Sequence, residues 1–285
     1  MKFWSGISRE RHRLSVETPA VIMSVYRGDR SVSLREALES LYRQKPFPAI
    51  YIQCDGPVDP EIENYLETER TSGRIVYLGY RRENLGLAKS LNDLLERVMD
   101  AGYEYIARMD SDDICLPYRF EKQLHYLEKH PEVDIVGGSI EEFTDDGSYR
   151  KIVRYPLEHE EMFRFFKKRV PLAHVSAMFR RSFFEKAGFY PVSSPTNEDT
   201  LLWMKGFAAG CRFANLPDVL VKVRVSKGFF SRRGGVRKAW SDFQDRLEVI
   251  RTLGYNWDAY FYAVAMLGIN LTPGFVKKFL YKKLR

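Results

Sequence analysis

Four short apolar runs recur in the first 110 residues, each followed by a stretch with amphipathic-helix periodicity. The runs are "PAVIMSVY" (Pro19–Tyr26), "AIYIQC" (Ala49–Cys54), "RIVYLG" (residues 74–79) and "YEYIARM" (residues 103–109). They lack the strict alternation of a half-exposed strand, so they predict strands buried on both faces. Between them, "SLREALESLYRQ" (Ser33–Gln44) places Leu34, Ala37, Leu38 and Leu41 on one helical face. "PEIENYLETE" and "GLAKSLNDLLERVMDAG" follow the same pattern, and a further helix is expected after Pro117. Strands alternating with helices in this way predict a parallel sheet covered by helices.

"VDIVGGSI" reads as one more strand, after which the rhythm changes. Strands are expected within residues 143–153, 173–179 and 219–225, with helices near 158–168 and 200–209. The expected class is α/β, a mixed and mostly parallel sheet flanked by helices. Residues 1–18 read as an N-terminal extension. The main domain is expected over 19–240, with a first half to about 115 and a second half from 116. Residues 241–285 read as a helical, aromatic and basic extension.

The 285 residues are 45% hydrophobic and 29% charged, which excludes a disordered chain. Cys54, Cys115 and Cys211 are odd in number and far apart, without the spacing of a zinc site or disulfide framework, and suit a reducing compartment. The first twenty residues have no apolar core long enough for a signal peptide. A net charge of +7 points to an anionic partner. From Tyr260 to Arg285 there is no acid, but there are Lys277, Lys278, Lys282, Lys283 and Arg285. That tail is too short and too broken by Pro273-Gly274 for a membrane span. It suits either a helix lying in an anionic membrane surface or an apolar helix packed on the domain.

Ligands of open α/β sheets bind beyond the carboxyl ends of the strands. Three polar groups fall there: Asp55 after the second strand, Asn84, Gly86 and Lys89 after the third, and Asp110-Ser111-Asp112-Asp113 after the fourth. An Asp-x-Asp pair on extended backbone turns two carboxylates to one side, where Mg²⁺ or Mn²⁺ would offset their repulsion. The alternative is an acidic turn capping the next helix, for which Asp113 is suited. Gly86 permits a tight turn into a helix whose N–H groups attract phosphate, with Lys89 one turn in; a plain strand-to-helix turn fits equally well. Asp55 either initiates a turn before Gly56-Pro57 or accepts from a nucleobase N–H. Glu198-Asp199 opens an amphipathic helix, as a cap or as a carboxylate that takes a proton from a hydroxyl. "VKVRVSKGFFSRRGGVRK" could clamp a diphosphate through its guanidinium groups, or remain a solvated or membrane-facing loop.

Taken in order, "SVYRGD", "CDGP", "ENLGLAKSLN", "ARMDSDDICLPYRFEKQ", "VGGSIEEF", "HVSAMFRRS", "NEDTLLW" and "VKVRVS…RRGG" resemble family-two bacterial glycosyltransferases of the GT-A fold, especially the amylovoran and exopolysaccharide subgroup. The resemblance spans residues 20–238 and implies that the half to about 115 binds the nucleotide and the half from 116 the acceptor. It implies a base contact from Asp55, bordered by Ser24 and Tyr26, with Asn84, Gly86 and Lys89 beside the nucleotide. Asp110 and Asp112, with Ser111 between them, match the pair that holds metal, diphosphate and ribose. Asp199, next to Glu198, matches the catalytic base. His174 stands where the subgroup has a histidine and is carried as a third candidate metal ligand, with a satisfied core histidine the alternative. Arg232 or Arg233 would assist the leaving diphosphate. The chain differs from many members in having Tyr26-Arg27 where Tyr-Asn is common, and in "QCDGP" where others have two aspartates.

The resemblance therefore implies an inverting enzyme that uses Mn²⁺ or Mg²⁺. Its donor would be a nucleoside-diphosphate sugar, with uracil as the expected base. Its acceptor would be a glycan or polyprenyl-linked oligosaccharide at the cytoplasmic face of the plasma membrane. A sugar nucleotidyltransferase would carry a Gly-rich basic loop after strand one, where this chain has "YRGDRS". A non-catalytic binding module would lack the second carboxylate motif. Nucleic acid is not an expected partner, since no recognisable module is present.

Overall fold

Strands β1 (Ala20–Val25) and β2 (Ala49–Cys54) are apolar almost throughout because helices cover both their faces. Odd and even side chains go to different cores. Val21, Met23 and Val25 join Ile50, Ile52 and Cys54 in one cluster, while Ala20 and Ile22 join Ala49 and Tyr51 in the other. Helices α1 (Ser31–Tyr42) and α2 (Pro60–Thr71) cover the first face. Helix α3 (Leu87–Asp100) covers the second with Leu91, Leu94, Leu95 and Val98, the stripe its spacing requires.

The computed structural model describes residues 18–193, 197–225 and 236–272. After β3 (Tyr77–Tyr80) and β4 (Tyr105–Arg108) come a two-residue strand β5 (Ile114–Cys115), α4 (Arg119–Lys129), β6 (Ile135–Phe143) and β7 (Arg150–Val153). Then follow α5 (His159–Phe166), a single 3-10 turn (His174–Ser176), β8 (Met178–Arg180), α6 (Arg181–Ala187), α7 (Glu198–Ala208) and β9 (Phe213–Arg224). Two helices, α8 (Val236–Thr252) and α9 (Trp257–Leu271), complete the described chain.

The sheet runs β3-β2-β1-β4-β8-β6-β9-β5, with β7 paired to β6. β1, β2, β3 and β4 are mutually parallel, and β8 is antiparallel to both β4 and β6. β9 is parallel to β6 and β5 antiparallel to β9. The residues that follow β1, β2, β3, β4, β6 and β9 therefore all emerge at one edge.

Three expectations are corrected. Residues 173–179 are a 3-10 turn followed by a short strand, because Ser176 Oγ donates to Ala173 O and competes with extended pairing. The last strand begins at Phe213, not 219, and reaches Arg224 through an irregular register beside Gly138–Ile140. The expected boundary between residues 240 and 241 falls inside α8.

The two last helices are fastened to the domain. Val249 enters the second core, Arg246 Nη1 donates to Phe166 O at 2.6 Å, and Tyr255 donates to Phe163 O at 2.5 Å. Helix α9 packs through Ala259 and Ala263, while Trp257, Phe261 and Val264 are 82%, 71% and 59% exposed. Among the described residues no helix is long and apolar enough to cross a membrane. The tail lysines lie outside the described residues.

Candidate active site

The acidic stretch after β4 is held by two arginines. Arg108, the buried last residue of β4, directs its guanidinium at both oxygens of Asp110, with Nη1 2.5 Å from Oδ2. Arg224, at the end of β9, donates from Nε to Asp112 O at 2.9 Å and from its backbone N–H to Asp113 Oδ1 at 2.8 Å. The same guanidinium pairs with Glu36 of α1 and Asp145 after β6. Asp113 therefore joins the loop to β9 and does not cap α4, which follows Tyr118 in a left-handed conformation (φ 64°).

A fourth carboxylate, Asp29 after β1, faces this loop and was not singled out from the sequence. It accepts from the Tyr26 N–H at 2.9 Å and from Ser111, which is itself buried. Burial, with Asp112 and Asp110 nearby, raises Asp29 to about 7 despite those bonds. Burial and Asp110 raise Asp112 to about 6, opposed by Arg224 and Arg108, and burial pushes Asp113 well above the usual range. This excess of carboxylate charge over cations is a donor set suited to a hard divalent ion. Mn²⁺ or Mg²⁺ fits here on one or two aspartates. Among the described residues no three His, Cys, Asp or Glu side chains converge as ligands.

Asp55 fastens the turn before α3. Its Oδ1 accepts from Arg81 Nη1 (2.8 Å) and the Leu85 N–H (2.9 Å), and its Oδ2 from the Gly86 N–H (2.8 Å). Gly86 has φ +92°, a conformation that side-chain-bearing residues rarely adopt. Asn84 Nδ2 donates to Asp55 O at 3.1 Å, and Lys89 pairs with Asp93 at 3.2 Å. Arg81 also bonds Ser90 Oγ and Lys89 O and pairs with Asp93, so one side chain ties β3 to both β2 and α3. Gly56 is equally constrained: φ is +85°, and a Cβ would lie 2.8 Å from the Asn84 backbone nitrogen. Ser24, half-buried, is the last residue but one of β1, and Tyr26 follows Val25 with its ring over Gly28.

Glu198 and Asp199 form the first turn of α7, where Asp199 Oδ1 accepts from the Thr200 N–H at 2.6 Å. Asn197, the residue before them, reaches Asp242 (2.8 Å) and Asp245 (2.6 Å) of α8. Burial and Asp199 raise Glu198 to about 7; Arg108 lowers it and Asp110 raises it further. The two carboxylate motifs are thus within each other's field, and both act on the buried Tyr190, as does Arg108. His174 does not stand with the aspartates as a third ligand. Its Nε2 is 2.8 Å from the Tyr190 hydroxyl, its ring meets Trp203 edge-on, and burial and Arg108 hold it well below the usual histidine range. Arg232 and Arg233 lie outside the described residues.

A carboxyl raised in the fold is ionised at a cost that appears above its ordinary pKa and is complete above its folded pKa. Glu198→Gln removes that cost. The variant is expected to gain about 1–2 kcal/mol over the parent at pH 8 and nothing at pH 4, read from urea midpoints. A gain of equal size at both pH values would contradict the raised pKa.

Comparison with known proteins agrees with this architecture. The glycosyl transferase family 2 model matches residues 20–188. The amylovoran biosynthesis glycosyltransferase AmsE of Erwinia amylovora is 34% identical over 267 residues, covering 93% of this chain and 98% of that protein. The UDP-Gal:alpha-D-GlcNAc-diphosphoundecaprenol beta-1,3-galactosyltransferase of Escherichia coli is 29% identical over 279 residues, covering 95% and 98%. The mannosyltransferase PcManGT from Pyrobaculum calidifontis, solved with GDP-Man and Mn²⁺, superposes with a TM-score of 0.60 at 18% identity, covering 93% of this chain and 79% of that one. The last likeness shows the GT-A fold. The chain belongs to glycosyltransferase family 2.

Proposed function

We propose that the protein is an inverting glycosyltransferase that moves a sugar from a nucleoside-diphosphate sugar, with uridine as the nucleoside, to a glycan hydroxyl. The observation that carries this reading is that Glu198 feels the charge of Asp110 and of the Arg108 that forks onto it, so the loop after β4 and the start of α7 share one electrostatic neighbourhood. A donor's diphosphate and an acceptor's hydroxyl need those two groups of carboxylates on opposite sides of one anomeric carbon. The Asp110-Ser111-Asp112 stretch is proposed to hold Mn²⁺ or Mg²⁺, through one or both of its aspartates. When bound, that ion supplies positive charge to the departing diphosphate.

Asp199 takes the proton from the acceptor hydroxyl as its oxygen bonds to the anomeric carbon from the face opposite the diphosphate. The bond from that carbon to the phosphate oxygen breaks, and the configuration inverts. Glu198, held near neutrality, keeps a second negative charge away from Asp199. Asp55, Ser24, Tyr26 and the Asn84–Lys89 turn border the nucleoside, and Arg232 or Arg233 attends the leaving group. The relatives' names support exopolysaccharide or O-antigen synthesis, and one acts on an undecaprenol-linked acceptor.

An acceptor of that kind for this chain would call for work at the cytoplasmic membrane face. The outward Trp257, Phe261 and Val264 of α9, continued by the acid-free lysines of the tail, suit an anionic surface.

Asp199→Asn is expected to lower kcat by about 10²–10⁴ while retaining donor binding by calorimetry. Near-parental turnover with the true donor and acceptor would remove Asp199 from this role. On flotation with phosphatidylglycerol-containing vesicles, the protein should rise with lipid and the Trp257→Glu/Phe261→Glu variant should not. Equal flotation of the two would refute docking through α9.

A further inference from the structure

Asp110 and Asp112 read alike in the sequence, but their surroundings differ. Both oxygens of Asp110 are taken by the Arg108 fork, whose side chain is 4% exposed against 37% for the aspartate. Among the described residues no cation pairs with the Asp112 carboxylate; Arg224 reaches only its backbone oxygen. The backbone of Arg108 is fixed as well. Its N–H donates to Ala177 O at 3.0 Å, and its carbonyl accepts from the buried Arg119 Nη2 at 3.0 Å. Arg108 Nε is buried without an acceptor. The side chain is thus aimed at one carboxylate with a donor left unsatisfied, where buried donors are ordinarily paired.

We propose that Arg108 is a positioning residue that withholds Asp110 from the divalent ion and leaves Asp112 as the carboxylate that binds it. The inference rests on the reading of this loop as a metal–diphosphate site. A bidentate guanidinium neutralises Asp110 and occupies the near lone pair of each oxygen, so the protein offers the ion one unpaired charge. The remaining ligand charge must come from the diphosphate. The ion alone binds weakly, and ion and nucleotide bind together.

The test is Mn²⁺ titration with and without UDP, followed by loss of the free-ion electron paramagnetic resonance signal. With UDP present, Asp112→Asn should weaken Mn²⁺ binding by about tenfold or more, and Asp110→Asn by less than about threefold. Without UDP, Arg108→Met should tighten Mn²⁺ binding by about tenfold, and Arg108→Lys, whose single ammonium cannot occupy both oxygens, should fall between that variant and the parent. Equal losses in the two aspartate variants would overturn the proposal, as would a folded Arg108→Met variant with unchanged Mn²⁺ affinity. If Arg108→Met does not fold, the aspartate pair decides. A parent protein that binds no Mn²⁺ even with UDP would instead refute the metal–diphosphate reading, and this inference with it.

Discussion

The pairing of Arg108 with Asp110 resolves an electrostatic conflict at the edge of the sheet. Asp29, Asp110, Asp112 and Asp113 crowd the ends of β1 and β4, close to a core that excludes water. Two like charges about 5 Å apart repel by about 3 kcal/mol at the effective dielectric of a protein. A fold can keep such a group only if cations are built in beside it or arrive with a ligand. Arg108 and Arg224 supply the first kind, each anchored in a strand end, and they leave the group still net negative. The parallel topology makes this possible, because β4 and β9 run the same way and deliver both arginines to the edge where the aspartates emerge.

The same edge gathers the other half of the site. Helix α7 starts with Glu198-Asp199, and α8 grips the residue before them through Asp242 and Asp245. The C-terminal helices are therefore tied to the site's geometry, whatever surface α9 also presents. Tyr190, bonded to His174, is buried within the field of Arg108 and of both motifs.

Much of the fold was readable from the sequence because buried parallel strands and amphipathic helices have simple periods. The strand ends, the Asp-x-Asp pair and the Glu-Asp helix start were found that way. The cations that organise them were not. Arg108 looked like one polar residue in an apolar run, although a lone arginine entering a core strand beside three acids is itself a signal. Arg81 pairs with Asp55, 26 positions away, and the Arg224 guanidinium with Glu36, 188 positions away; such partners have no linear pattern. His174 is a candidate ligand only through the resemblance, which has a histidine at that position; its partner Tyr190, 16 positions on, follows no linear pattern.

The central claim is that one edge of this sheet binds a nucleoside-diphosphate sugar through a divalent ion held by the loop after β4. Calorimetry with a panel of nucleotide sugars, in Mn²⁺ and then in excess chelator, tests it most directly. The account predicts binding of a uridine diphosphosugar in Mn²⁺ that is lost when the ion is removed. Binding of uridine donors that survives chelation, or binding of purine donors alone, would contradict it.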